Sequence, residues 1–133
     1  MKFHYHRFPS TVTKHVDMPI IPIGIPEQGQ YACLVDSGSD YSFLPIAIGE
    51  YLGLDIKKGK SIDIGGITGH KMIAYFHNIK FTIGGWEHEG EIDFSYELGT
   101  DFGIWGRDIL FEKYKVIFDQ HKKIVELKDY NDA

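Results

Sequence analysis

Cysteine is nearly absent from the chain: Cys33 is the single one among 133 residues. A lone cysteine cannot close an internal disulfide, which excludes the disulfide-stapled secreted scaffolds. Without a Cys-x-x-Cys pair, zinc-ribbon and dithiol redox chemistry are excluded too. Long apolar runs are missing as well. The stretch from Met18 to Pro26 is broken by Pro19 and Pro22, and nothing else approaches the length of a membrane span. No apolar leader follows Met1, so the sequence reads as a soluble, cytoplasmic protein. Positive charge is in deficit, with 14 Lys and Arg against 19 Asp and Glu, a formal net charge of −5. A phosphate-backbone binder needs a clustered cationic footprint, so nucleic acid is not an expected partner.

What is present points to strands. Hydrophobic residues make up 43% of the chain, enough for a packed core and too many for disorder. A length of 133 residues fits one domain. There are 15 glycines for tight turns, and 9 Phe, 8 Tyr and 2 Trp that suit a pleated surface. Ile79, Phe81 and Ile83 alternate with polar residues up to Gly84-Gly85, and Ile92 and Phe94 alternate with Glu91, Asp93 and Ser95 beyond it. That pattern predicts a β-hairpin with one buried face. Ile62 and Ile64 precede Gly65-Gly66, and the pairs Val116–Phe118 and Ile124–Leu127 flank a polar turn at Asp119 to Lys123, predicting a second hairpin. Pro45 opens a short helix over about Ile46 to Leu52, ended near Gly53, and Arg107 to Lys113 is a second short helix. The expected fold is mostly β, in one unit with one or two short helices.

The segment that carries chemistry is Tyr31-Ala32-Cys33-Leu34-Val35-Asp36-Ser37-Gly38-Ser39-Asp40. An apolar run of strand length ends directly in a carboxylate. That placement is costly unless the charge is hydrogen-bonded, shared or used. A hydroxyl residue and a glycine follow, so the chain can turn and bring backbone amides to the acid. Alone, Asp-Ser-Gly is a common loop tripeptide. Three further segments follow in order: Leu44-Pro45 with its helix to Gly53-Leu54, the glycine-rich Ile64 to Gly69, and Gly103-Ile104-Trp105-Gly106-Arg107-Asp108-Ile109-Leu110.

Together these segments resemble the retropepsin-like aspartic proteases, of single-lobe bacterial or retroviral type, over about Pro19 to Leu127 of one domain spanning 1–133. The resemblance implies a single-lobe acid-protease β-barrel. It assigns Asp36 as the catalytic acid and Ser37, Gly38 and Ser39 as its loop. Gly38 and Asp40 match positions that bind substrate backbone, and Gly66, Ile67 and Thr68 match the tip of a flap over the substrate. Gly106, Arg107 and Asp108 match structural supports that tie loops together. The implied substrate is an extended polypeptide, and no metal or other cofactor is required. The chemistry needs two facing carboxylates that share a proton, so that one takes a proton from water while the other hydrogen-bonds the scissile carbonyl. No second Asp-Ser/Thr-Gly occurs; Asp101-Phe102-Gly103 and Asp63-Ile64-Gly65 lack the hydroxyl. The implied second acid is therefore Asp36 of another copy in a two-fold homodimer.

Two features depart from the retroviral pattern. About twenty residues follow Lys113, more like the strand pair ending a pepsin-like lobe, and residues before Pro19 match no pattern. The competing expectation is a catalytically silent, monomeric binding or scaffold module of the same family. A third is histidine metal binding. His4 and His6 would share one face of an extended strand, and His15, His70, His77, His88 and His121 are further candidates, but no spacing matches a ligand set. Trp105 and Cys33 read as core, Trp86 as partly exposed, Lys57, Lys58 and Lys60 as a solvated loop, and Glu87, Glu89, Glu91 and Asp93 as a solvated strand face.

Overall fold

The computed structural model describes residues 1–65, 69 and 71–131. The N-terminal third supplies short strands: β1 (Lys2–His4), β2 (His6–Pro9), β3 (His15–Met18), β4 (Ile23–Ile25), β5 (Gly29–Tyr31), β6 (Cys33–Val35) and β7 (Phe43–Leu44). Helix α1 (Ile46–Tyr51) follows Pro45 and stops before Gly53, whose φ of 74° ends the turn without a Cβ penalty. Then come β8 (Lys60–Gly65), β9 (Lys71–Ile83) and β10 (Trp86–Phe94). Strand β11 (Gly103–Trp105), the π-helical turn α2 (Arg107–Phe111), β12 (Lys115–Asp119) and β13 (Ile124–Lys128) complete the chain.

The mostly β expectation is met, and both predicted hairpins form. The β9–β10 pair turns at Gly84-Gly85, both at positive φ (58° and 87°), with Phe81 opposite His88 and Ile83 opposite Trp86. A two-residue turn with both φ values positive matches the right-handed twist of its flanking strands. The β12–β13 pair turns at Asp119 to Lys123. Its outer neighbour is β1, so the two ends of the chain share a three-stranded sheet, with Phe3 opposite Val125.

The main sheet runs β5-β4-β9-β10-β7-β11-β6, with β8 also paired to β9. Its two edges are joined by one stretch of backbone. Pro19 to Ile21 lies along the free edge of β6, where Val35 N–H donates to Pro19 (2.9 Å) and Ile21 N–H to Cys33 (3.0 Å), and the chain passes directly into β4. That closes most of a barrel. Its interior holds Ile23, Val35, Leu44, Phe81, Phe94 and Leu110 around Trp105. The Trp105 indole donates to the Ile21 carbonyl at 2.8 Å, so its one polar atom is satisfied where it is buried. Among the described residues, no helix is long and apolar enough to cross a membrane.

Three expectations change. His4 and His6 do not share a strand, because Tyr5 N–H donates to Lys123 and the chain leaves the terminal sheet there; β2 pairs with β3 instead. The N-terminal stretch without a readable pattern is this β2–β3 ribbon, held through Phe8 against Phe102 with ring centroids 6.1 Å apart. Finally, the acidic strand face is not solvated throughout. Glu87, Glu89 and Glu91 are exposed, but Asp93 and Ser95 are buried. The far end of β10 lies between β9 and β7, so both edges of the strand are paired there, and the side chains from Ile92 to Ser95 are buried on both of its faces.

Candidate active site

Asp36 follows β6 directly. The β6 strand is held on both sides, by Pro19 to Ile21 and by parallel β11, with Trp105 opposite Val35. Asp36 N–H extends that ladder to the Trp105 carbonyl at 3.0 Å. The side chain is therefore placed by a rigid strand, and the loop begins only beyond it. The chain then turns: Ser39 N–H donates to the Asp36 carbonyl (3.2 Å), and Gly38 N–H donates to Asp36 Oδ1 (2.9 Å). A Cβ on Gly38 would stand 3.2 Å from that same oxygen. Glycine thus lets an amide approach the carboxylate without a side chain crowding it. Asp36 is half-buried, while Ser37, Gly38 and Asp40 are exposed.

The segment after β11 holds this loop from behind. Arg107 N–H donates to the Ser39 carbonyl (2.9 Å), its Nη1 to the Ser37 carbonyl (2.6 Å), and its Nη2 pairs with Asp40 Oδ1. A planar guanidinium that serves both Ser37 and Asp40 fixes their relative position in a way a lysine could not. Gly106 passes so close that a Cβ would lie 2.2 Å from the Tyr41 carbonyl oxygen and 2.9 Å from that of Ser39. Only glycine permits this approach. Ser42 ties the two segments together: its Oγ donates to Asp108 Oδ1 (2.7 Å) and accepts from Gly106 N–H (2.9 Å). Burial raises the Asp108 carboxyl above the ordinary carboxylate range, and the Ser42 hydrogen bond offsets part of that.

In front of the loop lies a cleft of 240 Å³ whose lining includes Asp36, Gly38, Asp40, Tyr41, Ile64 and Gly65. The β6 loop forms one wall and the end of β8 the other. The carboxylates lining it are Asp36 and Asp40, and Asp40 is taken by Arg107. Gly66, Ile67 and Thr68, the expected flap tip, lie outside the described residues, as does His70. The cleft is therefore built from Asp36, Gly38, Ser39 and Asp40 of the sequence-predicted set, with Gly106, Arg107 and Asp108 behind it. A larger cavity of 620 Å³ lies elsewhere, lined by Trp86, His88, Tyr114 and Leu127.

Other candidates fall away from the cleft. Cys33 is buried and its thiol is pushed well up by desolvation, so it is not a nucleophile. His77 bonds the Ile56 carbonyl and His88 the Tyr114 hydroxyl, each at 2.8 Å. No three His, Cys, Asp or Glu side chains among the described residues converge to hold a metal. Sequence reasoning does not single out Ser42, and it reads Asp93 only as part of a solvated strand face. Their one signal is a polar residue set between apolar neighbours, Tyr41 and Phe43 for the first, Ile92 and Phe94 for the second.

The family model described as retroviral aspartyl protease matches residues 15–117. Among solved structures, a retropepsin-like aspartic protease from Rickettsia conorii superposes with a TM-score of 0.64 at 17% identity, covering 96% of this chain and 88% of that one. The EIAV protease in complex with the inhibitor HBY-793 superposes with a TM-score of 0.55 at 22% identity, covering 71% of this chain and 86% of that one. No curated protein matches the chain.

Proposed function

The chain belongs to the retroviral aspartyl protease family, and from that premise we propose that it is an aspartic endopeptidase acting as a homodimer with one Asp36 from each copy. The observation that carries this reading is the composition of the cleft. Asp36 stands at its floor with one oxygen on an amide, and the other acid there is held by Arg107. Water activation by this family's route needs a second, facing carboxylate. A two-fold axis beside Asp36 supplies an identical one. The modest volume of the cleft fits the same account, since one chain would contribute only one wall.

In the dimer the two Asp36 carboxyls share one proton, because two like charges so close resist ionising together. The ionised member takes a proton from a water held between them. The resulting hydroxide oxygen bonds to the scissile carbonyl carbon while the protonated member gives its proton to the carbonyl oxygen. The tetrahedral species then collapses, the C–N bond breaks, and the amine leaves with a proton returned through the pair. Substrate lies extended along the cleft, its main chain meeting Gly38 and the Asp40 region, with alternate side chains in pockets. Ile64 and Gly65 line the cleft, and the family resemblance assigns the next residues in the chain, Gly66, Ile67 and Thr68, to substrate covering. Ser37 braces one loop against the other.

A second reading, a silent monomeric module, draws on the terminal sheet. There β1 pairs with β13 inside one chain, so the C-terminal strand is already paired on both sides without a partner. Digestion of a peptide library by wild type and Asp36→Asn separates the two. Cleavage by wild type that disappears in Asp36→Asn supports the protease, and equal, absent cleavage by both supports the module.

A further inference from the structure

Behind the active-site loop sits an acid that the proposed chemistry does not use. Asp93 is 0% exposed, and neither carboxyl oxygen meets a hydrogen-bond donor among the described residues. Its backbone is part of the loop's support, since Asp93 N–H donates to the Ser42 carbonyl at 2.9 Å. Ser42 is the residue whose hydroxyl joins Asp108 to Gly106. One step further, Arg107 holds Ser37, Ser39 and Asp40. Asp93, buried, and Asp108, half-buried, are thus both tied to one serine, Asp93 through its backbone N–H and Asp108 through its carboxyl, within a few bonds of the Asp36 loop.

The surroundings offer Asp93 no compensating charge. The titratable groups acting on it are Asp108 from α2 and Glu91 from its own strand, both acidic. Its pairing partners, Phe76 on β9 and Phe43 on β7, carry no charge. The ion pairs among the described residues are Arg7–Asp17, Lys58–Asp55 and Arg107–Asp40, and none reaches it. A buried acid without donor or cation is stable only in its neutral form. Desolvation, then repulsion from Asp108, pushes its carboxyl up to about 8.

We propose that Asp93 is a positioning residue that keeps the Gly106–Asp108 clamp closed on the Asp36 loop by remaining uncharged, so that the order of the loop depends on pH. The proposal rests on the protease reading for its consequence, but its physical content does not require activity. Below the transition, neutral Asp93 leaves Asp108 free to hold Ser42. Above it, an ionised Asp93 repels the Asp108 carboxylate, and the Ser42–Asp108 bond that supports Gly106 is weakened. Asp93→Asn keeps the shape and stays neutral at every pH.

Carbon-detected NMR titration of the Asp93 carboxyl, with the Gly38 and Gly106 amides followed in the same samples, tests this. In wild type the carboxyl is expected to titrate near 8, with both glycine amides shifting at the same midpoint. In Asp93→Asn those amide shifts should vanish. A carboxyl that titrates with the ordinary acids would overturn the proposal, as would glycine amides that move identically in the variant. If wild type cleaves no peptide yet shows the coupled titration, the proposal stands and the proposed function fails. If it cleaves peptides and the titration is ordinary, the reverse holds.

Discussion

Asp36 and Asp93 belong to one sheet, at the end of β6 and on β10 respectively with β7 and β11 between them, and are treated in opposite ways. Asp36 stands just beyond the end of β6, half-buried, with an amide on one oxygen and a cleft before it. Asp93 lies within β10, sealed from solvent, with neither oxygen bonded among the described residues. The first environment tolerates a charge and presents it. The second forbids one. The difference comes from what surrounds each strand: β6 feeds an open turn, whereas the end of β10 is enclosed by β9, β7 and α2.

Substitutions at the two sites should therefore have inverse effects. Asp36→Asn is expected to lower kcat by on the order of 10⁴-fold, because an amide cannot take the proton from water. Its Tm should stay close to that of wild type, as the acid makes one backbone contact. Steady-state kinetics with thermal melts checks both halves, and a large Tm loss with residual activity would break the comparison.

Asp93→Asn should do the opposite. With the folded-state carboxyl near 8 and the unfolded one near 3.8, the folded protein binds the proton more tightly. Wild-type stability is thus fully present below the unfolded value and declines as pH rises towards the folded one. Relative to wild type, the Asn variant should gain about 1.4 kcal/mol per pH unit across that window, several kcal/mol in all, then run parallel above it. Denaturant melts from pH 4 to 9 would show this gap, and a pH-independent difference would contradict it.

Arg107→Ala sharpens the comparison from the loop's other side. It removes the bonds to Ser37 and Asp40, and misplacement of the loop should cost roughly 10- to 100-fold in kcat. The exposed ion pair itself is worth about 1 kcal/mol or less of stability, so activity should fall further than stability does. Glu89→Gln, on the solvent-facing part of β10, should change stability by less than about 0.5 kcal/mol. Equal responses at Glu89 and Asp93 would mean that burial does not distinguish them.

The legible and illegible parts of the sequence divide along the same physical line. Local signals sufficed where a local rule sets the structure: Gly84-Gly85 turned the β9–β10 hairpin, Pro45 and Gly53 bounded α1, and an apolar run ending in Asp36 marked the loop that lines the cleft. The acidic face of β10 misled because alternation fixes which residues share a face but not what covers it. Only the long-range placement of β7 and α2 against the end of β10 buries Asp93. Likewise Ser42 gains its role from Gly106 and Asp108, more than sixty residues away in sequence, and β1 finds β13 across nearly the whole chain. The β2–β3 ribbon stayed unread because its strands are short and mostly polar at the tip.

The central claim is that the catalytic centre is complete only when two chains meet. Sedimentation of the purified protein over a wide concentration range, with peptidase activity measured on the same samples, tests it most directly. The account predicts that activity follows a species of twice 15.2 kDa and falls away as that species dissociates on dilution. Activity that resides wholly in a 15.2 kDa species would contradict it.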